Sequence, residues 1–251
     1  MQNKKITKKL IVANWKMNPS SLKEAIKIAK ASDVNGVTLC VPSVFINPLK
    51  KVIKKAKIGA QNISTEENGA FTGEISADMI YESGARYVIV GHSERRAMGE
   101  NNLDINKKIK MALVKGLSPI LCVGEKERDV NDINHEYFNV VKKQIDDALD
   151  GISKNLVSKI IIAYEPVWAL STTVGRHDTT TSDCQEMVLF IKKILSDMFS
   201  QQVAQSMKIL YGGSVNEKNI DDFVTNGGID GVLVGKASLD IKKFKLITYY
   251  A

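Results

Sequence analysis

Short runs of consecutive apolar, largely β-branched residues recur along the chain. They read Leu10–Ala13, Val37–Val41, Ile58–Ala60 and Tyr87–Val90 in the first half, then Pro119–Val123, Ile160–Ala163, Ile209–Tyr211 and Val232–Val234 in the second. Runs that stay apolar at successive positions, without alternation, predict parallel strands covered on both faces. Between them lie segments of helical period. Ser21 with Glu24 reads as a capping box ahead of Leu22–Ala31. Asn47-Pro48 reads as a cap with proline at the first helical position, and Ser182 with Gln185 as the opening of another helix. Gly84, Gly116 and Gly227 close others. Strand alternating with helix eight times predicts a single α/β domain over residues 1–251, and eight units in this length favour a closed (β/α)8 barrel over an open sheet. Asn14-Trp15-Lys16 follows the first run where a dinucleotide-binding sheet would carry a glycine-rich turn.

Composition changes this picture little. No apolar stretch approaches the roughly 18 residues of a membrane span, so the chain is expected to be soluble, with no membrane partner. The opening MQNKKITKKL lacks the apolar core of a secretory signal, which predicts a cytoplasmic protein. Cys40, Cys122 and Cys184 are far apart and odd in number, which predicts reduced, structural thiols. The formal net charge of +7 raises the question of polyanions, but only five of the 35 basic residues are arginine and no aromatics are interleaved with the lysine pairs. Solvated helix faces are the expectation, with no nucleic-acid partner.

In a barrel of this type, reactive groups sit where strands end and the following loops begin. Asn14 and Lys16 pass that test after strand one, His92 and Glu94 after strand four, and Glu165 after strand six. Gly212-Gly213-Ser214 passes it after strand seven, and Gly235-Lys236 after strand eight. Loops seven and eight are the expected phosphate cradle. Gly231–Ala237 has one spacer too few for a nucleotide-binding P-loop, and Ala237 stands where a magnesium-holding hydroxyl belongs. No metal-ligand spacing is present, and His135 and His177 are expected at the surface.

Five segments carry a family resemblance: A-N-W-K (Ala13 to Lys16), G-A-F-T-G-E (Gly69 to Glu74), V-G-H-S-E-R-R (Val90 to Arg96), A-Y-E-P-V-W-A (Ala163 to Ala169) and Y-G-G-S-V (Tyr211 to Val215). In content, order and span the chain resembles the triosephosphate isomerase family. The resemblance implies a homodimeric TIM barrel that interconverts D-glyceraldehyde 3-phosphate and dihydroxyacetone phosphate in glycolysis and gluconeogenesis, without a cofactor. It implies Glu165 as the base, His92 as the electrophile, and Lys16 with Asn14 as catalytic partners. Substrate contacts would come from Asn14, Trp15, Lys16, Ser171, Ser214, Gly235 and Lys236. Glu94 would pair with Lys16, and Cys122 would pack beside the glutamate.

Each role has a physical basis. Proton abstraction beside a carbonyl needs a base at carbon and a donor polarising the oxygen as enediolate charge develops. Pro166 biases Glu165 toward an extended backbone. A helical turn opening at Ser93 favours the neutral His92 imidazole. Phe71, with Thr72, Gly73 and Glu74, forms an apolar loop tip that a partner subunit would bury.

The chain departs from the family pattern in three places. Lys236 replaces the second glycine after strand eight. The lid reads Ser171 to Asp178 with about four residues more than the family pattern, counted to Thr181-Ser182, and Ser171 falls at the phosphate-contacting position. Ala97-Met98 ahead of Gly99-Glu100 is one residue short. A second reading follows from the lid: a low-activity barrel acting as a phosphate or polyanion-binding module.

Overall fold

A computed structural model describes residues 9–128, 135–170, 173 and 178–250. Its strands are β1 (Leu10–Asn14), β2 (Val37–Cys40), β3 (Lys57–Ala60), β4 (Tyr87–Val90), β5 (Ser118–Val123), β6 (Ile161–Tyr164), β7 (Ile209–Tyr211) and β8 (Gly231–Val234). Each pairs in parallel with its sequence neighbours, and β8 closes on β1 through Leu10↔Gly231 to Ala13↔Val234. The result is the closed TIM barrel expected from the eight apolar runs.

Around it lie α1 (Leu22–Ala31), α2 (Ser43–Lys50), α3 (Ala77–Glu82), α4 (Ser93–Ala97), α5 (Asn102–Val114), α6 (Glu136–Leu149), α7 (Lys154–Val157), α8 (Thr181–Met198), α9 (Gln201–Ser206), α10 (Ile220–Asn226) and α11 (Ile241–Tyr250). Ser21 caps α1 by accepting from Glu24 N at 3.3 Å. Gly84 and Gly116 follow α3 and α5 at φ +108° and +79°.

Two helix starts differ from the sequence expectation. Proline's ring already holds a helical φ, so Pro48 sits inside α2 instead of opening it; the helix begins at Ser43 after Pro42. The acceptor left without a donor by Pro48 lies at Val44, an exposed residue that water reaches. In α8 the reciprocal capping box is Thr180 with Asp183, two residues ahead of the expected pair. Thr180 Oγ1 accepts from Asp183 N at 3.1 Å and Asp183 Oδ2 from Thr180 N at 3.0 Å.

The period of two along each strand separates two cores. Val12, Cys40, Ile89, Ile120, Cys122, Ile161, Ala163, Leu210 and Leu233 fill the barrel interior. The residues that alternate with them, among them Ile11, Ala13, Leu39, Val88, Val90, Leu121 and Ile162, pack outward against the helices.

Candidate active site

The alternation that builds the cores also sets the site. Two positions beyond Val12 comes Asn14, and two beyond Ala163 comes Glu165, so both continue the inner face into the barrel mouth. Trp15 continues the outer face. Its side chain is fully buried with Ile11 and Ala13 against the helices. Its part is backbone: Trp15 N donates to Cys40 O at 3.1 Å, tying loop one to β2.

His92 caps α4. Its Nδ1 accepts from Glu94 N at 3.2 Å, so the lone pair lies at Nδ1 and the proton at Nε2. That Nε2 lies 3.1 Å from Glu165 Oε1, while Glu165 Oε2 accepts from Ser93 N at 3.0 Å. The neutral imidazole follows from these bonds. Glu165 is almost fully buried, and both carboxylate oxygens are bonded.

Lys16 is held in a left-handed backbone conformation, φ +51°, which costs a non-glycine residue about 1 kcal/mol or more. The surroundings over-determine it. Its N–H donates to Asn14 Oδ1 at 2.9 Å, its carbonyl accepts from Gln61 Nε2 at 2.8 Å, and its Nζ pairs with Glu94 Oε1 at 2.5 Å. Gln61 Nε2 also reaches Cys40 O at 3.0 Å, so one amide clamps loop one to the end of β2. Gln61 was not among the sequence candidates, although it directly follows β3 and the strand-end rule finds it there. A cleft of about 210 Å³ lined by Asn14, Lys16, Gln61, Asn62, His92 and Glu94 opens at this point.

Two glycines make room for the glutamate. A Cβ on Gly124 would lie 1.8 Å from Glu165 O, and one on Gly212 would lie 2.9 Å from Glu165 Cγ. Gly212, read as part of a phosphate cradle, therefore also clears space for the carboxylate's side chain. Cys122 lies in the barrel interior beside Glu165; burial, then the neighbouring carboxylate, pushes its thiol well above the usual range.

A buried ionic network braces the His92 loop from behind. Glu100 accepts from Gly91 N at 3.1 Å and Arg95 Nε at 3.1 Å, and pairs with Lys108. Lys108 Nζ continues to Asn62 Oδ1 at 2.8 Å. Burial raises the Glu100 carboxyl, but Lys108 and Arg95 outweigh it and hold the group below the ordinary range.

The opposite side of the mouth is built from loops six to eight. After Pro166, a short 3-10 turn, Val167–Ala169, is anchored by Glu125, which also follows a strand and was not singled out from the sequence. Glu125 Oε1 accepts from Trp168 Nε1 at 2.7 Å and Tyr164 Oη at 2.8 Å. Burial raises the Glu125 carboxyl. Ser214 Oγ donates to Ala169 O at 2.8 Å, coupling loop seven to loop six. Gly235 lies beside Lys16, with 3.6 Å between an added Cβ and Lys16 Cε. Lys236 opens a 3-10 turn and is exposed. Ser171, with most of the Ser171 to Asp178 lid including His177, lies outside the described residues. Exposed Phe71, Thr72, Gly73 and Glu74 form the tip of the loop after β3, and His135 is exposed at the start of α6. Among the described residues, no group of three or more His, Cys, Asp or Glu is disposed to hold a metal ion.

Comparison with known proteins gives a consistent result. A family profile described as Triosephosphate isomerase matches residues 9–251. The chain is similar to the triosephosphate isomerase of Dictyoglomus thermophilum, 43% identical over 94% of this chain and 97% of the relative. It is similar to that of Finegoldia magna, 44% identical over 96% and 98%, and to that of Dehalococcoides mccartyi, 42% identical over 94% and 93%.

Proposed function

Because the chain belongs to the triosephosphate isomerase family, we propose that its barrel mouth interconverts D-glyceraldehyde 3-phosphate and dihydroxyacetone phosphate, in glycolysis and gluconeogenesis, through Glu165, His92, Lys16 and Asn14. The observation that carries the assignment is the pairing of a buried carboxylate with the protonated nitrogen of a neutral imidazole, 3.1 Å apart, beside a fixed lysine. Glu165 takes a proton from the carbon next to the substrate carbonyl and returns it to the neighbouring carbon. His92 Nε2–H polarises the carbonyl oxygen, and Lys16 offsets the enediolate charge. In the free chain the base occupies the electrophile's proton. Substrate must therefore displace Glu165 from His92 and Ser93, and the space left by Gly212 lets the side chain swing.

Asn14 sets the Lys16 backbone and Glu94 holds its ammonium, so Glu94 serves position and not proton transfer. The substrate phosphate rests against Lys16, the loop-seven backbone at Gly212–Ser214, and Gly235 with Lys236, with Ser171 supplying the lid contact. Location in the cytoplasm fits this chemistry, and no described helix is long and apolar enough to cross a membrane.

A coupled assay of glyceraldehyde 3-phosphate conversion tests the reading. Glu165→Gln should lower kcat by about 10³-fold, within the range for loss of a general base. A parent protein no faster than that variant would overturn the enzyme assignment in favour of the anion-binding module. The loop tip at Phe71 is half exposed, and the same reading buries it in the pocket of a second copy to give a homodimer. Phe71→Asp should shift the sedimentation coefficient to that of a monomer; an unchanged value would refute this arrangement.

A further inference from the structure

Charge is distributed unevenly over the outer wall. On α6 and α8 lysines are matched with acids one turn on: Lys142 with Asp146, Lys143 with Asp147 at 3.0 Å and Lys193 with Asp197 at 2.6 Å. Helices α1 and α11 flank a hollow of about 430 Å³ on the outer wall, lined by Glu24, Lys27, Asp240 and Lys242 among others. Here the pattern is different. Lys27 and Lys30 on α1, and Lys242 and Lys245 on α11, are exposed and form no ion pair among the described residues. The acids on α1 and at the start of α11 are Glu24 and Asp240, whose carboxylate is engaged by the Lys242 and Lys243 amides; Asp221 and Asp222 stand on the neighbouring α10. Lys243 has a partner in Glu217 at 3.7 Å.

Helix α11 contains no acidic residue. Phe244 and Ile247 bury its inner face, while its outer stripe runs Lys242, Lys245, Leu246 and Tyr249 at helical spacing, with Tyr250 alongside. Tyr249 is 81% exposed and Leu246 46%. Basic residues at one end and amphipathic rings with a leucine at the other match the demands of a headgroup layer. Lysine ammonium groups are drawn to anionic lipid, and tyrosine and leucine partition at the polar–apolar boundary. The exposed rings stand together at one end of the stripe and not between the lysines, a poor match to a strand whose bases stack in succession.

We propose that the α1–α11 face is a peripheral docking surface for a bilayer carrying anionic headgroups. Such docking requires no spanning helix. It is independent of the isomerase reaction, because none of these lysines, nor Leu246 or Tyr249, is among the residues proposed for it.

The test is co-sedimentation of the full chain with phosphatidylcholine vesicles, with and without about 30 mol% phosphatidylglycerol. Binding should require the anionic lipid and be released by high salt. K242E/K245E should weaken the partition coefficient by about tenfold or more, given the attraction of each lysine near a charged leaflet. Leu246→Ser with Tyr249→Ser should weaken binding while leaving its salt dependence in place. K142E/K143E, on the paired wall, should leave it unchanged. Retained isomerase turnover in each variant certifies the fold. No binding to anionic vesicles overturns the proposal, as does equal binding by K242E/K245E, or release from vesicles by a single-stranded RNA homopolymer at lower phosphate concentration than by anionic lipid.

Discussion

The two sides of the barrel mouth are built by different means. The side that handles protons is fixed from several directions: Asn14 and Gln61 bracket the Lys16 backbone, Glu94 holds its ammonium, and Ser93 and His92 share the Glu165 carboxylate. Each of these partners stands at or just past a strand end. Among the described residues, the side proposed for phosphate is tied to the sheet through Tyr164, whose carbonyl accepts from Gly212 N at 2.7 Å, and also from loop to loop, as in Ser214 to Ala169, with Glu125 as the buried anchor of the loop-six turn. Chemistry that depends on a proton moving between set atoms calls for the first kind of construction. A surface that must open and close over a substrate calls for the second.

That contrast can be broken or sharpened by mutation. The largest effect should come from Glu100→Ala, which strands Lys108 as a buried charge behind the His92 loop and takes a partner from the partly exposed Arg95. A stability loss of about 3–5 kcal/mol is expected by denaturant unfolding. Because the folded Glu100 is held below the ordinary glutamate range, its contribution is complete above that range and disappears as pH falls through the folded value. The difference between parent and variant should therefore shrink in acid and stay constant near neutrality.

Next in size, Gln61→Leu removes the clamp on a strained lysine without touching substrate. It should lower kcat by about 10- to 100-fold while changing KM less, the signature of misplaced chemistry. Ser214→Ala should cost about 1 kcal/mol of the loop-six anchor, read as a several-fold change in KM with kcat nearly preserved. If it lowered kcat more than Gln61→Leu, the division between the two sides would fail. The smallest effect belongs to Lys236→Ala: kcat/KM should drop about two- to fivefold at low ionic strength and converge with the parent at high salt.

Sequence pattern carried the barrel because parallel strands buried on both faces leave an unbroken apolar trace, and all eight strands appear within a residue or so of the runs that predicted them. Helix starts were less legible. Pro48 fits either at the first turn or within a short helix with a solvated break, and the α8 segment offers both Thr180/Asp183 and Ser182/Gln185 as boxes; packing decides between them. Lys16, His92 and Glu165 lie together through hydrogen bonds no linear pattern encodes. A shared motif does not say which face of the strand Trp15 takes, whereas the period of two does. Gln61 and Glu125 follow the ends of β3 and β5, so the same strand-end rule points to them, although neither lies in a motif that marks it.

The alternation at the ends of β1 and β6 places residues of opposite purpose side by side: Asn14 next to Trp15, and Tyr164 next to Glu165. Reading frame along these strands is thus a heritable constraint of its own. Loss of one residue within β1 would exchange an amide for an indole at the mouth, and loss of one within β6 would send the proton-transferring carboxylate into the helix-facing core. Insertions would be tolerated between strands far more readily than within them, so lineages of this chain should vary in the lengths of their loops and keep the spacing of their strands.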